Sequence, residues 1–358
     1  MNGKIIIYAP NSHCGGGLIL LKGLLETWPA NAALHGYFDA RARDVLRLEK
    51  QPQVKWVNAS LPGRLIAEIS LFKAVSSNDV VIFMNSLPPL FRCKGRVVVF
   101  MQNRNLVERL SLRDFRFKQA LRIMVERWWC YTFRKRVDEY IVQTDSFRRV
   151  FENWYKRNER DKLPAVTVLP FMQDNGINDS LQEESCDKQY DFLYVADGLA
   201  HKNHVVLFDA WILLADQKIY PSLAVTLGAS EFDLLEKVAV LQSSGVNIVN
   251  LGWLSHQEIL SKYRASEALI FPSLRESFGL PLVEATMLGV PILASEMDYV
   301  YDVCTPKETF NPVSDRSIAR AVKRFLGVPS TLNKVQPPEG FLRYMMSSKL
   351  RGSSYDKA

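Results

Sequence analysis

The chain of 358 residues is 47% hydrophobic and 23% charged, a length that suits two domains and a composition ordinary for globular proteins. No apolar run approaches the roughly 20 residues that cross a bilayer. The five cysteines (Cys14, Cys93, Cys130, Cys186, Cys304) make no Cys-x-x-Cys pair, which argues against a disulfide framework or zinc site and for a reducing cytoplasm. The formal net charge of +7 is local. Between Arg104 and Lys162 stand 16 Lys/Arg and 9 Asp/Glu, so this segment carries the surplus and would attract anions.

In chain order, Ile5-Ile6-Ile7-Tyr8 reads as a first strand within 4–9 and not as a signal peptide. Asn11-Ser12-His13-Cys14-Gly15-Gly16-Gly17 follows it. Glycines there let the backbone approach a phosphate or an acceptor. Further strands are expected at 33–38, 54–57, 80–84, 96–101, 139–143 and 166–171. Helices are expected at 18–27, 41–50, 64–75, 113–137 and 145–157. Gln102-Asn103-Arg104-Asn105 and Gln143-Thr144 stand at strand ends. Within segment 113–136, Phe117, Leu121, Met124, Trp128, Trp129, Tyr131 and Phe133 alternate with Arg116, Lys118, Arg122, Arg127, Arg134, Lys135 and Arg136. That mixture suits peripheral contact with a membrane and equally a core helix with a basic outer face.

Residues 173–189 are polar, acidic and aperiodic around Asn175-Gly176, and read as a linker. The alternation then restarts, with strands at 191–196, 223–227, 247–251, 268–271 and 291–294. Helices alternate with them at 204–215, 231–243, 257–265, 282–288 and 317–326. The domains expected are 1–172 and 190–328, each doubly wound around a parallel sheet, with ligand in the cleft between them. A tail, 329–358, carries a short helix over 341–348 and a disordered end.

The most informative stretch runs from Phe271-Pro272-Ser273 through Glu276-Ser277-Phe278-Gly279-Leu280-Pro281 to Glu284-Ala285. It leaves a strand, turns at Gly279 and enters a helix with Pro281 in its first turn. The helix N-terminus offers N–H groups and a positive dipole to a diphosphate. Glu276 and Glu284 can then face one crevice, where carboxylates accept hydrogen bonds from sugar or ribose hydroxyls. Lys202, in Asp197-Gly198-Leu199-Ala200-His201-Lys202-Asn203-His204, can neutralise charge on a leaving diphosphate. His201 and His204 lack a third metal ligand.

This stretch, on to Gly289-Val290-Pro291-Ile292-Leu293-Ala294, resembles the retaining glycosyltransferases of family 4, as do Leu251-Gly252-Trp253 and the spacing from Ala265 to Ser273. The resemblance covers roughly residues 190–326 and points to a bacterial polysaccharide or lipopolysaccharide type. It implies a GT-B fold: two Rossmann-like α/β domains facing each other across a cleft. It also implies transfer of a hexose, with retention, from a nucleotide sugar to a glycan hydroxyl, the acceptor being lipid-linked. Glu276 would lie near the donor sugar and Glu284 would hold the ribose. Gly15, Gly16, Gly17, Asn203, Ser277, Phe278, Gly279 and Leu280 would complete the donor site. The family's arginine before the lysine is absent, and so is its histidine after the strand ending near Met101. Asn103 and Arg104 stand in for that histidine on the sugar side. No Asp-x-Asp occurs, so no metal or other cofactor is expected, and no nucleic-acid partner. The rival readings are a non-catalytic scaffold that binds nucleotide or glycan, and a nucleotide-sugar epimerase or hydrolase.

Overall fold

The computed structural model describes residues 3–48, 51–108, 117–156, 162–172, 187–329 and 338. The expected linker falls outside the described residues except for 187–189, as does the tail except for 329 and 338. Segment 113–116, Cys186 and the helix expected at 341–348 also fall outside them.

The first half holds seven strands: β1 (Ile5–Ala9), β2 (His35–Asp39), β3 (Val54–Val57), β4 (Val80–Phe83), β5 (Arg96–Phe100), β6 (Glu139–Val142) and β7 (Ala165–Val168). They are parallel throughout and stand in the order β3-β2-β1-β4-β5-β6-β7. Its helices are α1 (Gly15–Glu26), α2 (Arg43–Leu46), α3 (Leu61–Ala74), α4 (Phe117–Phe133) and α5 (Asp145–Tyr155). The second half repeats the plan with β8 (Tyr190–Tyr194), β9 (Leu223–Val225), β10 (Ile248–Asn250), β11 (Ser266–Phe271), β12 (Ile292–Ser295) and β13 (Glu308–Phe310). These too are parallel, in the order β10-β9-β8-β11-β12-β13. Its helices are α6 (His204–Asp216), α7 (Phe232–Ser243), α8 (His256–Arg264), α9 (Leu280–Met287), α10 (Asp298–Tyr301) and α11 (Asp315–Phe325).

Apolar strands covered on both faces explain the pattern. Two clusters sandwich the first sheet. One joins Leu71 of α3, Cys130 of α4 and Phe147 and Phe151 of α5, and the other joins Leu20 and Leu21 of α1 with Phe38 and Phe100. A single larger cluster fills the second half around Phe192, Trp211 and Phe271.

The differences from expectation are local. The helix expected at 41–50 shortens to α2, behind a single 3₁₀ turn capped by the Asp39 carboxylate. The helix expected at 64–75 starts earlier, because Ser60 accepts the Gly63 N–H and Pro62 fits the first turn. Strand β13 and helix α10 were not expected.

On α4 and the 3₁₀ turn that follows it (Arg134–Arg136), several cations serve the fold. Arg127 donates to the carbonyls of Asn105 and Glu108, and Arg136 to that of Pro89. Arg134 is buried against the Tyr131 ring. Trp129 donates its indole N–H to the Pro88 carbonyl. Helix α4 leaves outside Leu121, Met124, Val125, Trp128 and Tyr131 together with Lys118, Gln119, Arg122 and Thr132. Among the described residues no helix is long and apolar enough to cross a membrane. Cys14, Cys93, Cys130 and Cys304 are free.

Candidate functional site

In each sheet the winding direction reverses at one point, between β1 and β4 and between β8 and β11. Loops that leave strands at such a point diverge and leave a crevice. The loops after β1, β8 and β11 border a shared cleft of about 510 Å³.

Gly279 begins the second half's wall. Its φ of 79° lies in the left-handed region, which a glycine enters without strain, and it caps the start of α9. Before it, Tyr299 donates to the Ser273 carbonyl (2.7 Å) and so fixes the loop that carries Glu276. Lys202 comes from the loop after β8, where Tyr194 donates to its carbonyl at 2.5 Å. The Lys202 Nζ lies 2.7 Å from Glu276 Oε1, with both side chains mostly buried (15% and 12% exposed). An ammonium has three donors, so this pairing leaves two for other acceptors. Lys202 is the only Lys or Arg among the described residues lining the cleft; Asp197, Glu231, Glu276 and Glu284 line it too.

Glu284 is almost fully buried on α9. Both its oxygens are held from α8: His256 Nε2 lies 2.9 Å from Oε1, and Tyr263 donates to Oε2 at 2.9 Å. Burial and the nearby carboxylate push the Tyr263 hydroxyl far above its ordinary pKa, so it remains a donor. Sequence reasoning missed His256 and Tyr263. They stand seven apart on α8, 28 and 21 residues before Glu284, and only the packing of α8 on α9 reveals the set.

From the first half come Gly15, Gly16 and Gly17 at the start of α1. A Cβ on Gly16 would stand 2.8 Å from Leu280 Cδ1, so the glycine permits the two halves to touch. Ser277, Phe278, Gly279 and Leu280 line the same cleft.

Three candidates lie elsewhere. Asn203 is buried and faces the loops instead of the cleft: its Nδ2 donates to the carbonyls of Pro272 (3.1 Å) and Pro312 (2.7 Å). With φ of 66° it turns the chain from Lys202 into α6. Asn103 caps a 3₁₀ turn through Asn105 N–H. Arg104 bridges the halves. Its backbone N–H donates to Ser277 Oγ (3.0 Å), its Nη1 to the Glu276 carbonyl (3.2 Å) and its Nε to Glu108 (3.0 Å). From that region it is Gln102, with Gln143 at the end of β6, that lines the cleft.

Burial, reinforced by the neighbouring Lys202 charge, holds His201 down to about 4 and His204 down to about 3. Both are neutral at physiological pH. Among the described residues no three His, Cys, Asp or Glu side chains converge as metal ligands do.

Residues 178–336 match the family described as glycosyl transferases group 1. A stretch of 165 residues, 45% of this chain and 45% of the relative, is 24% identical to the O-antigen chain mannosyltransferase RfbU of Salmonella typhimurium. These matches support a glycosyltransferase.

A stretch of 170 residues, 47% of this chain and 32% of the relative, is 25% identical to the UDP-N-acetylglucosamine–peptide N-acetylglucosaminyltransferase GtfA subunit of Streptococcus pneumoniae. The chain thus spans less than half the length of these curated relatives. Among solved structures, Anabaena HepE in complex with UDP and glucose superposes with a TM-score of 0.62 at 15% identity, over 91% of this chain and 90% of that one. The sucrose-phosphate synthase of Thermosynechococcus elongatus gives 0.64 at 14%, over 91% and 90%. At that identity the likeness shows the fold, which is GT-B.

Proposed function

We propose that the chain transfers a hexose, with retention at the anomeric carbon, from a nucleoside diphosphate sugar to a hydroxyl of a glycan in cell-surface polysaccharide synthesis. The observation that carries this reading is the Lys202–Glu276 pair at 2.7 Å, set in the cleft beside the N-terminus of α9 and the fixed carboxylate of Glu284. The diphosphate would lie against the Lys202 ammonium and the α9 N–H groups, which stabilise the charge that grows as the glycosidic bond breaks. Glu276 would orient the sugar and Glu284 the ribose. Lys202 and the helix dipole perform the neutralisation with no metal ion in this reading, and catalysis is mainly electrostatic and positional.

The mannosyltransferase relatives favour a mannosyl donor, and in this reading the acceptor is lipid-linked. The outward Leu121, Met124 and Trp128 of α4 suit an acceptor presented at a membrane surface on the cytoplasmic side.

The test is transfer from GDP-mannose, UDP-glucose and UDP-N-acetylglucosamine to lipid-linked oligosaccharides, in EDTA and without it. Wild-type protein should turn over one donor in both buffers. Lys202→Ala should lose roughly 10²–10³-fold in kcat, with melting unchanged and nucleotide binding weakened because the diphosphate loses its ammonium. Nucleotide binding without transfer to any acceptor would support the scaffold reading instead, and loss of activity in EDTA would overturn the metal-free mechanism.

A further inference from the structure

Two carboxamides on the first half's wall have no partner. Gln143 follows β6, is 3% exposed, and lines the cleft, yet its Nε2 meets no acceptor. Gln102 follows β5, lines the same cleft, and its Nε2 is likewise buried without an acceptor. Buried side-chain donors in folded proteins nearly always find partners. Two such donors on residues that line one cavity, each a side-chain rotation away from it, point to a ligand that supplies the missing oxygens.

The backbone beneath Gln102 is built to hold it there. Ser86 is buried with φ of 62°, a strained conformation for a residue with a Cβ. Its Oγ accepts the N–H of Gln102 (2.8 Å) and that of Asn103 (3.1 Å). On the other side of Gln102, a Cβ on Gly17 would stand 2.8 Å from Oε1, so the side chain is seated against the first turn of α1.

Resting on the donor reading above, we propose that Gln143 and Gln102 bind the hydroxyls of the transferred sugar and thereby select it. The ligand class follows from charge. The diphosphate has the ammonium of Lys202 and a helix N-terminus available on the second half. Among the described residues, the wall carrying Gln102 and Gln143 adds no Lys or Arg to the cleft lining. Neutral carboxamides suit neutral hydroxyls, which both donate and accept and so can match either end of the amide. Asn103 and Arg104, the residues expected on the sugar side, are engaged in a turn and in the contact between halves.

The experiment compares the affinity of UDP with that of UDP-glucose, and of GDP with that of GDP-mannose, by calorimetry. The proteins are wild type, Gln143→Leu, Gln102→Leu and the milder Gln143→Asn, each checked for unchanged melting. The proposal expects each Leu variant to weaken the nucleotide sugar by roughly ten-fold while the bare nucleotide stays within about two-fold, and Gln143→Asn to fall between. Equal losses for nucleotide and nucleotide sugar would assign these residues to the diphosphate and overturn the proposal, as would unchanged affinity for both. If the wild-type protein bound none of the four ligands, the donor reading itself would fall, a result that does not depend on either glutamine.

Discussion

His204 sits at the start of α6 with both ring nitrogens buried and without partners, its ring tilted 4.8 Å from that of Tyr194. It acts as an apolar core residue, and this costs stability in acid. Its folded pKa, about 3, lies below the ordinary 6.5 because burial penalises the charged ring and Lys202 repels it. The unfolded chain therefore binds a proton between these values that the folded chain refuses. The contribution is complete above about pH 6.5 and is lost as pH falls toward 3. Glu68 works in the opposite sense. Burial lifts it from 4.5 to about 6, so its contribution is complete below 4.5 and lost as pH rises through 6. Substituting His204 alone separates the two. In His204→Phe, the fall in unfolding free energy between pH 7 and pH 4 should shrink by about 2–3 kcal/mol relative to wild type. Urea titrations at the two pH values measure it, and parallel losses in both proteins would show that the buried ring is not the source.

At the scale of elements, α8 is a device for holding Glu284. A capping box of Ser255 and Glu258 fixes where the helix starts. His256 and Tyr263, two turns apart, then fall on one side and meet the two oxygens of one carboxylate. His256→Ala should free Oε1 to swing. The expected result is a roughly five- to ten-fold weaker nucleotide, with kcat nearly unchanged and partial recovery in His256→Asn. A fall in kcat at constant KM would place His256 in the chemistry instead. None of this was legible in the chain. The strands were, because runs such as Val80–Phe83 and Ser266–Phe271 are apolar and bounded by turns. Gly279 and Pro281 likewise announced α9. The omissions have physical causes. Strand β13 has three residues and α10 four, too few for any periodicity to emerge. The basic and aromatic character of α4 could not tell which cations the fold would engage; Arg127, Arg134 and Arg136 turned inward to carbonyls and rings. Of the site, Lys202, Glu276 and Glu284 were readable because each stands in a loop or helix that begins at a strand end. Asn203, expected at the donor site, instead binds the carbonyls of Pro272 and Pro312, because an amide beside a loop lysine looks the same in sequence whether it faces a cleft or the loops.

The whole molecule is two sheets held together at the mouth of the cleft by few contacts. Arg104 reaches Ser277 and the Glu276 carbonyl. Thr144 Oγ1 donates to the Ser277 carbonyl at 3.4 Å. Asp302 accepts the Ser146 N–H at 2.9 Å, a carboxylate at the first turn of α5, where the helix dipole favours it. Arg149 and Asp298, both exposed, add a pair at 3.4 Å that contributes little in solvent. Such a small, polar interface is the kind that opens and closes with ligand. Arg104 and Thr144 both reach the loop that carries Glu276 and precedes α9, so a closure of the halves would also set the position of Glu276. Arg104→Ala/Asp302→Ala, which removes the Nη1 contact to the Glu276 carbonyl and the Asp302 contact to the Ser146 N–H, should populate the open form without unfolding either half, since neither side chain belongs to a core. The free variant should show a larger radius of gyration by small-angle scattering than the wild type, and saturating nucleotide sugar should bring the two together. Its KM should rise by roughly ten-fold, because binding must now supply the closure, while kcat stays within about two-fold of wild type. If the radius of gyration and KM both matched the wild type, the halves would be held by something other than these contacts.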